Sequence, residues 1–365
     1  MRRSTLRGNI AILGMLFAGF AWSARAQDGA LQFAELGDLK LQSGEVIHDF
    51  RLGYRTLGAL NAEKSNAVLW PSWLGGASKD LLDQIGPGKT VDSSKYFVIL
   101  VDAIGNGVST SPSNSRSQRL GKFPKFTIGD MVESEHRLVT EVFHLTHLRA
   151  VMGISMGGMQ TFTWTDLYPE LMDEAIPIVG SPQSTSYDKL LWTAEISALQ
   201  SDPAWNSGHP KRRITKGALL ENEIDSMNLT TPAYRVAHTT PGAFGDFLSQ
   251  VEKESQTDGG DAWNQIRQRE AIIGLDLPGK KGVTLEQWAK SRKCKMLVLV
   301  SLEDHMVNPI PATEVAAAGG FPLVRMSSAC GHLAPSCISI GPIVAGFLED
   351  PASGRSQTLQ EQPKP

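Results

Sequence analysis

The chain has 365 residues, 41% hydrophobic and 20% charged, which places it among folded globular proteins and excludes disordered and fibrous classes. A formal net charge of −3 with no long run of Lys or Arg excludes a nucleic-acid footprint and a basic membrane-surface patch, so the expected partner is a small molecule. Three cysteines are too few for a disulfide-dense scaffold and match no zinc spacing, so no metal is expected.

Arg2, Arg3 and Arg7 precede an apolar run over 10–22 that closes on Ala24-Arg25-Ala26. The run is shorter than the roughly 20 residues a bilayer span needs, which predicts a signal peptide over 1–26, cleaved before Gln27. A periplasmic or secreted protein follows; an uncleaved N-terminal anchor is the competing reading. No other stretch is long and apolar enough for a transmembrane helix, so no stable membrane insertion is expected after cleavage.

Alternating residues on either side of Ser43-Gly44 predict an antiparallel hairpin at one sheet edge. Short β-rich apolar runs over 67–70, 96–101, 148–152, 175–179, 296–300 and 322–326 read as buried parallel strands, with helices over 130–143 and 159–168 between them. Strand, helix, strand repetition implies an α/β doubly wound, mostly parallel sheet. The rhythm breaks over 181–290, read as a helical lid inserted after the sixth core strand. The α/β core then comprises 27–180 and 291–350, and the Pro-, Gln- and Ser-rich tail 351–365 is expected to be disordered.

The sharpest local signal is Gly153-Ile154-Ser155-Met156-Gly157-Gly158, directly after one expected strand and before an expected helix. Such a nucleophile elbow projects a serine hydroxyl above the sheet, and glycines let the backbone pass closely. A serine hydroxyl needs a base, and histidine has the suitable pKa. In hydrolases of this architecture the order is Ser, then Asp or Glu, then His. His332, after the last expected strand, is the candidate base, with His305 the decoy. Asp304, after the preceding strand, is the candidate acid that holds the His332 tautomer, with Glu303 the alternative. The oxyanion hole needs two N–H donors: Met156 supplies one, and Leu74, in the loop Pro71-Ser72-Trp73-Leu74-Gly75-Gly76, is the candidate for the other. Trp73 in that loop is the candidate substrate contact; an ordinary βα turn is the competing reading. Cys330 and Cys337 flank His332 and could pair to brace its loop, leaving Cys294 free.

These residues resemble the homoserine O-acetyltransferase-like branch of the α/β-hydrolase superfamily. The similarity includes Gly53-Tyr54-Arg55-Thr56-Leu57-Gly58, Asp102-Ala103-Ile104-Gly105-Asn106-Gly107, Ser155-Met156-Gly157-Gly158-Met159-Gln160, and Asp304 followed by Gly331-His332. The resemblance implies a triad of Ser155, Asp304 and His332, oxyanion donors at Leu74 and Met156, and a helical lid over the acceptor pocket. The chain departs from the acetyltransferases where they resemble His-Ala-Leu-Thr-Gly and it has Ser72-Trp73-Leu74-Gly75-Gly76. An exported enzyme would also meet neither acetyl-CoA nor cytoplasmic homoserine.

The leading expectation is therefore serine-dependent hydrolysis of a carboxylic ester through an acyl-enzyme, with no cofactor. An O-acyltransferase is the alternative, and a non-catalytic small-molecule binding protein with an apolar pocket is the third reading. The sequence leaves oligomeric state open, a homodimer included.

Overall fold

The computed structural model describes residues 27–210, 213–257 and 262–361. The expected signal peptide over 1–26 lies outside them. Eleven strands form one sheet: β1 (Gln27–Asp28), β2 (Gln32–Lys40), β3 (Val46–Gly58), β4 (Ala67–Pro71), β5 (Phe97–Val101), β6 (Leu148–Ile154), β7 (Met172–Ile178), β8 (Lys295–Met296), β9 (Val298–Ser301), β10 (Leu323–Ser327) and β11 (Gln357–Gln360). The helices are α1 (Ile128–Arg137), α2 (Met156–Leu167), α3 (Ser186–Gln200), α4 (Lys216–Leu229), α5 (Pro232–His238), α6 (Phe244–Thr257), α7 (Ala262–Ile273), α8 (Leu277–Lys280), α9 (Leu285–Lys290), α10 (Ile310–Gly319), α11 (Ala334–Cys337) and α12 (Gly341–Glu349).

The strand order is β1-β3-β5-β4-β6-β7-β9-β10-β11, with β2 on β3 and β8 on β7. Pairing is antiparallel only where β1, β2 and β5 meet β3, and parallel from β5 to β11. The hairpin thus lies at one edge, as its alternation predicts.

Strands β4 and β5 are buried at every position because both sheet faces are covered. Ala67 and Leu69 pack into one core with Met156, Met159 and Phe162 of α2, while Val68 and Trp70 pack into the other with Val344 and Phe347 of α12. This period of two is what a pleated strand between two helical layers requires. After β4 the chain steps outward to β5 and then returns to place β6 on the other side of β4. The crevice beyond the C-terminal ends of β4 and β6 is therefore a switch point, the usual ligand position in open α/β sheets.

Two boundaries differ from expectation. Residues 277–290 belong to the core, not to the insertion: Trp288 is fully buried, its Nε1 donates to Asp166 at 2.7 Å, and its ring centroid lies 6.3 Å from that of Phe162. The insertion leaves and re-enters through a narrow neck, where Ser184 N donates to Leu275 O at 2.9 Å and Leu277 N to Pro182 O at 3.1 Å. Between these points α3 to α7 carry a small apolar cluster of their own, including Leu199, Ile214 and Ile266.

The second difference is the tail. Residues 357–360, expected to be disordered, pair in parallel with β10 from Val324↔Gln357 to Ser327↔Gln360. Strand β10 offers an open edge, and a ladder uses backbone groups that polar side chains do not forbid. Leu359 packs against the second core.

Candidate active site

Ser155 stands at the bend between β6 and α2 with φ 57° and ψ −121°, a conformation costing about 1–3 kcal/mol for a non-glycine residue. The bend is held because Ser155 N donates to Ile178 O of β7 at 2.9 Å. A Cβ on Gly153 would stand 2.3 Å from the Gly157 carbonyl carbon, and one on Gly157 would stand 2.7 Å from Pro71 O. Both glycines are thus required by backbone contact, the second of which brings the loop after β4 against the start of α2.

Asp304 follows β9 in a turn that uses both its carboxylate oxygens. Oδ1 accepts from Met306 N at 2.8 Å and Val307 N at 2.9 Å, and Oδ2 lies 2.7 Å from His332 Nδ1. With the proton on Nδ1, the imidazole donates to Asp304, and its Nε2, 2.8 Å from Ser155 Oγ, accepts from the serine hydroxyl. Asp304, His332 and Ser155 therefore form one continuous hydrogen-bonded line from three separate loops.

His332 sits in a short helical turn over Gly331–Leu333. Gly331 adopts φ 61°, and its carbonyl accepts from Ser301 Oγ at 2.7 Å. Cys330 and Cys337 are joined in a disulfide, so the turn is closed covalently on both sides of the imidazole. Cys294 is free and buried, and burial pushes its thiol up to about 11, which keeps it unreactive. Burial alone would lower the His332 pKa; the Asp304 charge and hydrogen bond, with a further contribution from Asp225, outweigh it and raise the pKa above its ordinary value.

The alternatives considered for acid and base lie elsewhere. Glu303 accepts from Ser327 Oγ at 3.0 Å and Ser328 N at 3.1 Å. His305 lines, with Glu303 and Glu361, a surface cleft of about 680 Å³ whose walls include none of Ser155, Asp304 and His332.

Met156 is the first residue of α2, so its N–H has no acceptor one turn earlier. Among the described residues no acceptor takes the N–H of Leu74 or Trp73, whereas Ser72 N donates to Val101 O and Gly75 N to Gln268 Oε1, each at 2.9 Å. Trp73 is half-buried against the second core.

Gln268, on α7, was not legible as a site residue. Its Oε1 takes Gly75 N and its Nε2 donates to Ile104 O at 2.9 Å, tying the insertion to the loops after β4 and β5. The two ends of the first bond are 193 positions apart, and no local motif marks such a partner. Asp102 opens the Asp102-Ala103-Ile104-Gly105-Asn106-Gly107 stretch after β5. Its carboxylate accepts from Ser78 N at 2.8 Å, Ser78 Oγ at 2.6 Å and Asn106 Nδ2 at 3.0 Å, which fixes the loop after β5.

Residues 68–335 match the family model for the alpha/beta hydrolase fold. A probable esterase of Corynebacterium glutamicum is 40% identical over 183 residues, 49% of this chain and 52% of that protein. An ethyl acetate hydrolase of Pseudomonas veronii is 39% identical over 195 residues, 53% of this chain and 56% of that protein. The matched part thus spans about half the length of these curated relatives. A homoserine O-acetyltransferase of Methanohalobium evestigatum is 31% identical over 318 residues, 77% of this chain and 64% of that protein. Among solved structures, an acetylester hydrolase from Corynebacterium glutamicum superposes with a TM-score of 0.79 at 28% identity, over 88% of this chain and 96% of that one. The acetyl esterase MekB superposes with a TM-score of 0.82 at 27% identity, over 88% of this chain and 97% of that one. The chain belongs to the α/β-hydrolase fold family, in its homoserine O-acetyltransferase-like branch.

Proposed function

We propose that the protein is a serine-dependent carboxylic-ester hydrolase. Ser155 Oγ attacks the ester carbonyl as its proton passes to His332 Nε2, and Asp304 stabilises the imidazolium. The N–H groups of Met156 and Leu74 take the oxyanion. Collapse breaks the ester C–O bond, and the departing alcohol receives the proton from His332. Water, deprotonated by the same imidazole, then attacks the acyl-enzyme, releases the acid and restores Ser155. The chemistry calls for no cofactor. Trp73 and the helical insertion, acting as a lid, would line the acyl and alcohol pockets.

The observation that carries this reading is the continuous line Asp304–His332–Ser155, at 2.7 Å and 2.8 Å, ending on an oxygen in a strained turn. The similarity to esterases and to an ethyl acetate hydrolase supports hydrolysis in particular. Acyl transfer to an alcohol is the second reading, favoured by the longer alignment to homoserine O-acetyltransferases. Incubating the protein with short p-nitrophenyl esters, and separately with acetyl-CoA plus homoserine, distinguishes the two. Ester turnover is the expected result, and turnover of the second pair alone would replace hydrolysis by transfer. Export by the N-terminal segment belongs to the same proposal, and N-terminal sequencing of the native protein, expected to begin at Gln27, tests it.

A further inference from the structure

The loop after β4 carries Leu74 on a turn whose form is set from outside the turn. Gly76 N donates to Trp73 O at 3.1 Å and closes residues 73–76 into a β-turn. Gly75 has φ 69° while Leu74 keeps a negative φ, which makes the turn type II, the form with a left-handed third residue. Its central amide, Gly75 N–H, points out of the turn and needs an acceptor from elsewhere. Type I and type II differ mainly by a rotation of that central peptide, so the group that accepts from Gly75 N fixes which form is present.

That acceptor is Gln268 Oε1, at 2.9 Å, on a side chain that is 0% exposed. Gln268 Nε2 donates to Ile104 O at 2.9 Å, so the carboxamide is held in one orientation. The ends of the loop are tied to the core instead: Ser72 N donates to Val101 O at 2.9 Å, Ser72 O accepts from Gln160 Nε2 at 3.1 Å, and Gly76 O accepts from Asn106 Nδ2 at 3.0 Å. Gln268 is thus the anchor at the tip of the turn. Gln265 also lies near Gly75, but its Oε1 accepts from Arg269 Nη1 at 2.5 Å and its Nε2 faces the glycine.

Helix α7 can act as a support because it is fixed to the core along its length. Asn264 Oδ1 accepts from Ser113 N at 3.0 Å, and its Nδ2 donates to Ser113 Oγ at 2.8 Å. Arg267 Nε donates to Phe123 O at 3.0 Å, and Ile272 O accepts from Ser184 Oγ at 2.6 Å. Positions 264, 267, 268 and 272 share one helical face, which lies on the segments that follow β4, β5 and β7. The outer helix α5, by contrast, buries no residue.

We propose that Gln268 is a positioning residue for the oxyanion hole. By accepting from Gly75 N it holds the type II turn, and with it the aim of the Leu74 N–H at the reacting carbonyl. A flip of the central peptide would reverse the Leu74 carbonyl, the dipole next to that N–H, where negative charge develops in the transition state. Helix α7 is then part of the catalytic framework as well as of the insertion. This role rests on the Ser155 chemistry of the hydrolase reading with Leu74 as donor, and it holds whether the acyl group passes to water or to another alcohol.

The test is kcat and KM for p-nitrophenyl acetate, expressed per Ser155 titrated to completion with a fluorophosphonate, a count that removes any unfolded fraction. Gln268→Met, similar in length but without acceptor or donor, should lower kcat about tenfold or more with KM within about threefold, since a whole oxyanion donor is worth about 10²–10³ in kcat. Trifluoroacetone, to which Ser155 Oγ adds as its proton passes to His332, places a hemiketal oxyanion in the same hole and should lose affinity by a similar factor. Gln268→Glu keeps an acceptor for Gly75 N, and burial favours the protonated form that also donates to Ile104 O, so it should recover most of both. Asn264→Ala loosens α7 without touching the loop, and should lower Tm yet keep kcat per site within about threefold of wild type. If Gln268→Met does not fold, Gln268→Asn, which withdraws the carboxamide by one methylene, should show the same losses. Unchanged kcat and trifluoroacetone affinity in the folded Gln268 variant, or equal losses in Asn264→Ala, would overturn the proposal while leaving ester hydrolysis standing. If wild type hydrolyses no ester, the hydrolase reading falls and the same comparison is made on acetyl transfer from acetyl-CoA to homoserine; absence of both activities overturns the two together.

Discussion

His332 Nε2 stands 2.8 Å from Ser155 Oγ although 177 residues separate them in the chain. The closure is enforced from both ends: the serine by a backbone bend that only Gly153 and Gly157 permit, the imidazole by Asp304, the Ser301 bond and the adjoining disulfide.

The pH dependence follows from the balance at His332. Its Nε2 must be unprotonated to accept the serine proton, so kcat/KM should rise with pH through the His332 pKa. Burial lowers that pKa, but Asp304 and then Asp225 raise it further, so the midpoint should lie above about 6.5. Asp304→Asn leaves the burial without the larger opposing charge. Its midpoint should fall below the wild-type value, and kcat should drop about 10⁴-fold. Rate profiles with p-nitrophenyl acetate check both.

Glu303 provides the matched control. Its carboxylate ties Ser327 Oγ and Ser328 N and does not reach the imidazole, so Glu303→Gln should keep kcat within about threefold of wild type. A loss as large as that of Asp304→Asn would reassign the acid.

The Cys330–Cys337 bridge closes a short loop around His332. Replacing both cysteines by Ala should cost about 2 kcal/mol through chain entropy, a Tm decrease of about 3 °C by calorimetry. Because the loop carries the base, kcat should fall while KM changes little.

Glu135 of α1 is fully buried, accepts from Trp164 Nε1 at 2.6 Å and has a second oxygen with no partner. Burial pushes its carboxyl up to about 8, against which the indole bond acts only weakly. Because the folded-state pKa exceeds the unfolded one, the folded state holds this proton more tightly. Its contribution to stability is present below about 4.5 and declines as pH rises towards 8. Glu135→Gln should therefore raise Tm relative to wild type at pH 8 more than at pH 5, as thermal unfolding at the two values would show.

The parts legible in the sequence are those with local causes. The elbow was readable because a turn of that shape needs Gly153 and Gly157 beside the serine, and β4 and β5 because burial on both faces leaves continuous apolar runs. Asp304 was readable only as one of two adjacent acids, since which side chain turns inward depends on how the turn to Val307 is hydrogen-bonded. Gln268 was not readable, because its partners Gly75 and Ile104 lie on other elements of the fold. The edge strand 357–360 was missed for a different reason: its composition is polar, and what orders it is the open backbone edge of β10.

Everything central depends on the Ser155 hydroxyl being the activated nucleophile, and covalent labelling with a fluorophosphonate reads that most directly. The wild-type protein should gain one phosphonyl group, located by peptide mass spectrometry on Ser155, and Ser155→Ala should gain none while unfolding at nearly the same temperature. Labelling that persists in a folded Ser155→Ala variant, or maps to another residue in wild type, would contradict the account.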